Sequence, residues 1–225
     1  MKNMYLKGHS LFSGQNEKDI GFASSLAQVK IMAKGDILDI TKNDMAKIYV
    51  LITGSIKIKI LDPDNQEFVD ILSAPEVFGE MGLNSISSWN QLAQILTEEV
   101  ILFVFKMADF RKVLERNPVF FLNYVRMLNS KLQKAEIRCN NLVYRDVRYR
   151  LFQFLGNWAK SQGEVKKEKI ILKNYLTHQD IASVISSSRQ SVSNVLNDFQ
   201  ENGMMQYDRK RIELNPEFFN NVKLM

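Results

Sequence analysis

Polar side chains that can hydrogen-bond to DNA bases recur on one side of the segment SVISSSRQSVSNVLNDF, residues 183–199. Arginine can bind guanine through two hydrogen bonds, and glutamine or asparagine can bind adenine in the same way. The candidates for such base contacts are Arg189, Gln190, Ser193 and Asn194. The apolar residues recur every three or four positions and so share one helical face; they are Val192, Val195, Leu196 and Phe199. The pattern fits a core-packing helix with a polar outer face, and it also fits a helix that reads DNA.

Two helix-start signals flank a tight turn in this region. Thr177 is followed three residues later by Asp180, which is the signature of a capping box. Ser188 is a second good N-cap, and Gly203 is a suitable stop for the helix that follows. These signals predict two short helices joined by a tight turn, with apolar residues where two crossed helices would touch. We therefore predict a helix-turn-helix.

A basic hairpin is predicted directly after these helices. The segment MMQYDRKRIELN reads as a strand, a turn and a second strand, and its turn carries Arg209, Lys210 and Arg211. From Arg145 onwards the chain has 13 basic and 9 acidic residues, and its overall formal net charge is +5. A basic hairpin beside a helix-turn-helix is a wing, and a small basic domain suits a polyanionic partner.

The N-terminal half has the pattern of an antiparallel β domain. Between Val29 and Phe105, short β-prone runs alternate with turn signals. In SIKIKILD the isoleucines alternate with lysines at a period of two, and DPDNQ then turns the chain into EFVDIL, which predicts a hairpin. Because no helical crossover separates these runs, the pattern favours a sandwich or a jelly roll.

The periodicity changes after Asn117, where Pro118 suits the start of a helix. Apolar or small residues then follow at alternating steps of three and four, which is the spacing of a heptad seam. The seam residues are Val125, Leu128, Leu132, Ala135, Cys139 and Leu142. The helix either packs against its own domain or pairs with a second copy to form a homodimer. In a homodimer Cys139 would face its counterpart; an intersubunit disulfide is geometrically feasible there, but a reduced packing cysteine is the favoured interpretation.

The composition argues against several classes of protein. The single cysteine excludes an intramolecular disulfide framework, and two isolated histidines, His9 and His178, leave no clustered metal, haem or catalytic site. The longest apolar run, Val100 to Phe105, is far shorter than the ~20 residues that a membrane span needs. We therefore expect a cytoplasmic protein that is not an enzyme, binds no metal or identifiable cofactor, and does not enter a membrane.

The segment LTHQDIASVISSSRQSVSNVLNDFQENGMMQYDRKRIEL resembles the winged helix-turn-helix of the cyclic-AMP receptor protein and fumarate-nitrate regulator (CRP/FNR) family of bacterial transcription factors. Upstream, KGDIL, IYVLITGSIKI, PEVFGEMGL and LTEEVILFVFKMADF resemble the cyclic-nucleotide-binding jelly roll of that family. The resemblance covers nearly the whole chain and implies an α+β fold. Its expected parts are an effector-sensing antiparallel β jelly roll (1–116), a dimerisation helix (117–144) and a C-terminal winged helix-turn-helix (145–225).

The family pattern also implies roles for particular residues. It assigns the four polar residues of the second helix to base reading and the three basic residues of the hairpin to the wing. Residues near the two helix starts are assigned to the DNA surface, chiefly to phosphates; they are Thr177, His178, Ser188 and Ser191. The chain departs from the pattern at Ser186, where the family usually has glycine, and at Asn194, which replaces a frequent second arginine. Its DNA site is therefore expected to differ from the best-known family consensus.

The effector pocket departs further from the family pattern. In members that bind cyclic AMP, an arginine about ten residues after the Gly-Glu turn pairs with the cyclic phosphate, because a buried anion needs a charge-assisted partner. No basic residue lies between Lys59 and Lys106 of this chain. The candidate pocket residues are Gly79, Glu80, Met81, Ser88, Trp89 and Asn90. We expect no ordinary cyclic-AMP binding, and we leave open whether Trp89 fills the pocket or forms the wall of a site for a different small-molecule effector.

The sequence thus predicts a homodimeric transcription regulator that reads a two-fold related site in double-stranded DNA, with RNA polymerase as a further candidate partner. A signal at the jelly roll would shift the orientation of the reading helices, or a constitutively competent dimer would be regulated by its abundance. The alternative is a sensor or scaffold module whose C-terminal domain binds a protein partner.

Overall fold

The computed structural model of the protein describes residues 2–41, 47–62, 64, 67–79 and 90–220. It divides into two compact units, Met1–Lys134 and Ala135–Met225. The first unit combines antiparallel sheets with helices, and the second contains a helix-turn-helix and a small sheet. The predicted α+β fold is therefore confirmed.

The first unit is built around two antiparallel sheets. Their strands are β1 (Gln28–Ala33), β2 (Ile37–Asp39), β3 (Lys47–Thr53), β4 (Ser55–Leu61), β5 (Glu67–Ser73), β6 (Glu76–Phe78), β7 (Asn90–Ile95) and β8 (Glu99–Lys106). Within the described residues, the strand orders are β1-β8-β3-β6 and β2-β7-β4-β5. The predicted hairpin is β4–β5, with Ile58 opposite Asp70.

Apolar side chains from both sheets form one core between them. Tyr49 of β3 and Phe78 of β6 stack with their ring centroids 4.9 Å apart, and Ile56 and Ala93 of the other sheet are fully buried in the same cluster. The isoleucines of β4 alternate with lysines because one face of this strand turns towards the core, as the sequence predicted.

Helices cover the outer face of the sheet that contains β8. They are α1 (Lys2–Lys7), α2 (Glu17–Leu26), α3 (Met107–Arg116) and the first turns of α4 (Pro118–Tyr144). Phe105 packs edge-on against Phe110 with a centroid separation of 5.7 Å. Asp19 of α2 accepts hydrogen bonds from Arg116 Nε at 2.8 Å and from Asn117 Nδ2 at 3.0 Å, which ties α2 to the junction of α3 and α4.

His9 is buried in this helical layer, where a short 3-10 turn begins. Its Nδ1 accepts a hydrogen bond from the backbone N–H of Leu11 at 3.1 Å, and its Nε2 lies 3.3 Å from the carbonyl oxygen of Glu76. Because a backbone N–H can only donate and a carbonyl can only accept, the ring is neutral with its proton on Nε2. Burial lowers the pKa of His9 from 6.5 to about 4.

The helix α4 begins at the predicted proline and presents two different faces. Phe120 and Tyr124 are buried against the first unit, and the ammonium groups of Lys131 and Lys134 lie 3.9 Å and 3.6 Å from the buried carboxylate of Glu76. The predicted seam residues are solvent-exposed on another face: Val125, Leu128, Leu132, Ala135, Cys139 and Leu142. The helix therefore packs on its own unit with one stripe and leaves the heptad stripe open, so the homodimer remains a prediction.

The second unit starts within α4 and contains the helix-turn-helix and the basic hairpin that follows it. Its further elements are α5 (Val147–Gln162), β9 (Glu164–Lys166), β10 (Lys169–Lys173), α6 (His178–Val184), α7 (Arg189–Glu201), β11 (Met205–Tyr207), β12 (Arg211–Leu214) and α8 (Pro216–Asn220). The strands form one antiparallel sheet in the order β11-β12-β10-β9. Ile181, Val192 and Phe199 are buried between α6, α7 and their neighbours, as the apolar spacing predicts.

The described helices and side chains were also searched for membrane spans and metal sites. None of these helices is both long and apolar enough to cross a membrane. Within the same residues, no three His, Cys, Asp or Glu side chains come together as a metal site would require.

Candidate nucleic-acid interface

The helix α6 begins with the predicted capping box. Thr177 Oγ1 accepts a hydrogen bond from the backbone N–H of Asp180 at 3.1 Å, and the Asp180 carboxylate accepts one from the backbone N–H of Thr177 at 2.9 Å. The Thr177 hydroxyl also donates to that carboxylate at 2.7 Å. These reciprocal bonds fix the direction in which the chain enters α6.

The end of α6 is a Schellman-type cap with an unusual residue. The backbone N–H of Ser187 donates to the carbonyl oxygen of Ala182 at 2.8 Å, and Ser186 adopts a φ of +53°. This left-handed conformation normally favours glycine. Ser186, where the family usually has glycine, therefore adopts a backbone conformation that glycine accommodates more easily.

Arg150 of α5 holds this turn in place. Its guanidinium donates to the carbonyl oxygens of Ile185 at 3.0 Å and Ser186 at 3.2 Å, and to that of Arg145 at 2.8 Å. Three hydrogen bonds from one planar cation to three carbonyls orient the turn that precedes α7. Sequence reasoning missed this residue, because an arginine in RDVRYR has no local signature of its distant partners.

The helix α7 starts at the predicted N-cap. Ser188 Oγ accepts from the backbone N–H of Ser191 at 3.0 Å, and the two serine hydroxyls lie 2.8 Å apart. The remaining first-turn N–H groups and the helix dipole favour a negatively charged neighbour at this end. Because Ser188 and Ser191 lie at this helix start, their position is compatible with phosphate.

The two faces of α7 separate as the spacing predicts. Val192, Leu196 and Phe199 are buried, and Val195 is half-buried. The outer face exposes three of the four base-reading candidates, namely Arg189, Gln190 and Asn194. Polar groups that can each make two hydrogen bonds therefore lie together on an open helical surface.

The fourth candidate, Ser193, is engaged inside the protein. Its hydroxyl donates to the carbonyl oxygen of Arg189 at 3.0 Å, and it lies 2.7 Å from Nδ1 of His178. Since the single hydroxyl proton is used on the carbonyl, the neutral His178 ring must donate from Nδ1 and carry its lone pair on Nε2. Burial, and to a smaller extent the positive charge of Arg189, lower the pKa of His178 below its ordinary value of 6.5.

The wing turn is held by two polar side chains. The Asp208 carboxylate accepts from the backbone N–H groups of Lys210 at 2.6 Å and Arg211 at 2.8 Å. Asn174, the residue that follows β10, donates its backbone N–H to the Lys210 carbonyl at 2.8 Å and its side-chain amide to the Asp208 carbonyl at 2.9 Å. The three basic side chains of the turn, Arg209, Lys210 and Arg211, are exposed.

Most of the candidate effector residues lie outside the described residues. They are Glu80, Met81, Ser88 and Trp89. Gly79 has a φ of +94°, and a Cβ atom added there would lie 2.6 Å from the carbonyl oxygen of Lys47. Glycine is therefore required at this turn by both conformation and space. Asn90 is exposed at the start of β7, opposite Leu61.

The exposed seam of α4 extends further than predicted. Phe121 lies four residues before Val125, continues the alternation of three and four, and is 52% exposed. Extending the heptad pattern by one step towards the N-terminus would have identified it. The longer apolar stripe is of the kind that a partner surface covers.

Comparisons with known proteins agree with this geometry. A family model described as the Crp-like helix-turn-helix domain matches residues 149–217, and one described as the cyclic nucleotide-binding domain matches residues 30–117. The chain is 24% identical over 209 residues to the global nitrogen regulator of Synechococcus elongatus, covering 92% of each chain. It is 26% identical over 174 residues to the cAMP-activated global transcriptional regulator CRP of Haemophilus influenzae, covering 75% of each. The solved structure of a CooA mutant from Carboxydothermus hydrogenoformans shares the fold, with a TM-score of 0.71, 22% identity and coverage of 94% of this chain and 91% of that one.

Proposed function

Because the chain belongs to the CRP/FNR family of DNA-binding transcription regulators, we propose that it acts as a homodimer whose two α7 helices read a two-fold related DNA site. The proposal includes no catalytic residue, since the curated relatives are named as regulators. A regulator of this kind works in the cytoplasm, and RNA polymerase is a further candidate partner.

The observation that carries the proposal is the open polar face of α7. Arg189 lies at the first turn, where a helix inserted in a major groove comes nearest to the bases. We assign the main base contact to Arg189, with Gln190 and Asn194 beside it. Ser193 is assigned a supporting part, because its hydroxyl already binds the Arg189 carbonyl.

The phosphate contacts are assigned to the helix starts and the wing. Thr177, Ser188 and Ser191 lie at or near N-caps, where backbone N–H groups and the helix dipole attract anions. His178 lies beside them, and Arg209, Lys210 and Arg211 supply the positive charge of the wing. Such contacts fix the orientation of the protein on DNA, and the bases are then read by α7.

The dimer contact is assigned to the heptad stripe of α4. Leu128 and Leu132 are 37% and 57% exposed in the single chain, and a coiled-coil pair would bury them. Pairing along α4 gives two-fold symmetry, and the two reading helices must then lie roughly 34 Å apart to enter successive major grooves.

The effector is proposed to differ from cyclic AMP, although the Haemophilus influenzae relative is named as cAMP-activated. In the family pattern the basic partner of the cyclic phosphate lies about ten residues after the Gly-Glu turn, and the chain has no basic residue between Lys59 and Lys106. The Tyr49–Phe78 stack also occupies part of the space between the sheets. An uncharged or differently charged small molecule fits this composition better.

The test is a salt titration with duplexes that the protein itself selects from a random-sequence pool. Affinity should fall steeply between about 50 and about 200 mM salt, because phosphate neutralisation releases counterions. Arg189→Ala should lower the preference for selected over scrambled duplexes, whereas the exposed Arg111→Ala on α3 removes the same charge without effect. If an intact dimer retained no duplex at low salt, the proposal would be wrong.

A further inference from the structure

A polar cleft of about 270 Å³ opens on the first unit, among the short N-terminal 3-10 turn, the start of β6 and the first half of α4. The buried side chains of Glu76 and Asn123 line it, together with the half-buried Met127. Its exposed lining residues are Ser10, Pro75, Arg126, Ser130 and Lys134. Of the candidate effector residues that the structure describes, Gly79 and Asn90, neither lines this site, which we call the α4 cleft.

The buried amide of Asn123 holds Arg126 at the edge of the α4 cleft. Its Nδ2 donates to the carbonyl oxygens of Leu11 at 3.1 Å and Ser13 at 2.9 Å, and its Oδ1 accepts from Arg126 Nη1 at 3.1 Å. Within the part of the chain that the structure describes, no carboxylate lies within ion-pair distance of Arg126. A guanidinium fixed in this way can bind an anion through two parallel hydrogen bonds.

Two hydroxyls and an ammonium group add further donors. Arg126, Ser130 and Lys134 follow one another at steps of four residues, so they lie along one side of α4. From the 3-10 turn, the Ser10 hydroxyl donates to the sulfur of Met127 at 3.8 Å. Because a thioether is a weak acceptor, an oxygen-rich ligand would give this hydroxyl a better partner.

The α4 cleft is positively charged in spite of its one carboxylate. Glu76 lies 3.6 Å from Lys134 Nζ and 3.9 Å from Lys131 Nζ, and the Lys131 ammonium group also donates to the Val77 carbonyl. The Glu76 charge is therefore compensated within the protein. The charged lining residues, Arg126, Lys134 and Glu76, have a net charge of +1, which favours an anionic ligand.

We propose that the α4 cleft binds the phosphate group of a small phosphorylated metabolite. A phosphate accepts hydrogen bonds in several directions, which suits a guanidinium, an ammonium group and two hydroxyls, whereas a planar carboxylate is satisfied by the guanidinium alone. The volume of about 270 Å³ suits a small molecule. The site includes no residue of α7 or the wing, so this inference does not depend on DNA binding.

The experiment measures the binding of inorganic pyrophosphate to the full chain by isothermal titration calorimetry at ~50 mM salt, where screening is weak. Arg126→Gln should weaken binding roughly ten-fold or more, because charge-assisted hydrogen bonds are lost. Arg126→Lys, which keeps the charge and loses the planar fork, should show an intermediate loss. Ser130→Asp places a negative charge beside an intact Arg126 and should weaken binding as strongly as Arg126→Gln.

Two exposed arginines supply matched controls. Arg111→Gln on α3 and Arg209→Gln on the wing make the same charge change away from the α4 cleft, and both should bind pyrophosphate as the wild type does. Malonate, which carries two carboxylates at a similar size, should bind roughly ten-fold more weakly than pyrophosphate. Urea denaturation checks that the variants are folded, and Ser130→Asp decides the outcome if Arg126→Gln is not.

Four outcomes would overturn the inference. No pyrophosphate binding by the wild-type chain, or wild-type affinity in the folded Arg126→Gln and Ser130→Asp variants, would show that the α4 cleft holds no phosphate. Loss of binding in Arg209→Gln would place the anion at the wing instead. Equal affinity for malonate would show that the site does not select phosphate. Each of these results leaves the DNA titrations of the proposed function to be judged separately.

Discussion

The Nδ1 atom of His178 lies 2.7 Å from the hydroxyl oxygen of Ser193 and links the first turn of α6 to α7. The neutral ring donates from Nδ1, so Nε2 has no proton to offer to a phosphate. The ring also lies beside Tyr207 of β11, with a centroid separation of 5.4 Å. His178 therefore contacts both α7 and β11.

This geometry predicts that DNA affinity rises as pH falls from about 8 to about 6. Burial and the charge of Arg189 lower the pKa of His178 in the free protein, whereas a nearby phosphate favours the charged ring, so binding takes up a proton. The gain should not exceed about ten-fold per pH unit per subunit. Dissociation constants measured across this range for the wild type and His178→Gln check it. An equal pH dependence in both proteins would contradict the prediction.

Ser186→Gly is expected to stabilise the protein. The left-handed backbone of Ser186 costs an L-residue about 1 kcal/mol, and the greater freedom of glycine in the unfolded chain offsets part of the gain. A net increase of about 0.5 kcal/mol in the free energy of unfolding should follow, measured by urea denaturation. The control is Ser187→Gly, which changes a neighbouring serine without a positive φ and should destabilise. The opposite order of the two variants would show that the turn carries no such strain.

Leu132→Glu is expected to dissociate the homodimer, because a charge at a seam position would be buried against the partner copy. Ile137→Glu is the matched control, since Ile137 is 60% exposed, close to the 57% of Leu132, but lies outside the seam. Sedimentation velocity should show at least a ten-fold weaker dimer for Leu132→Glu only. A dimer that survives Leu132→Glu, or is lost equally in Ile137→Glu, would place the contact elsewhere.

His9 predicts an acid-sensitive first unit. Its pKa is lowered to about 4 in the folded chain, so its contribution to stability is present above pH 6.5 and is lost as pH falls towards 4. The difference between this pKa and 6.5 corresponds to a loss of about 3 kcal/mol in the free energy of unfolding once the pH is below 4. Urea unfolding at several pH values should show this loss, which should be absent from His9→Gln, a side chain that can donate and accept without titrating. Parallel pH curves for the two proteins would refute it.

Interactions between near neighbours were predictable from the sequence, because both the residue types and their spacing can be read along the chain. The Thr177–Asp180 capping box and the Ser188 cap are of this kind. The inward isoleucines of β4 and the exposed heptad stripe follow from periodicity alone.

Contacts between distant residues were not predictable, since no periodicity connects their positions. Arg150 binds a carbonyl 35 residues away, and Lys173 faces Arg211 only through the register of two strands. The helices α1 and α2 also escaped prediction, because their short apolar stripes become meaningful only beside the sheet that they cover. The base-reading and phosphate assignments remain predictions that the DNA titrations test.

The guanidinium of Arg150 connects the end of α4 to the turn before α7. One of its three carbonyl partners, that of Arg145, lies just beyond the end of α4, and the other two belong to the turn before α7. Torsion of the backbone between α4 and α5 must therefore either break charge-assisted hydrogen bonds or rotate the start of α7 with it. One side chain therefore couples the end of α4, which carries the proposed dimer contact, to the start of α7, which carries the proposed base contacts, so that a small twist of one helix would change the direction of the other.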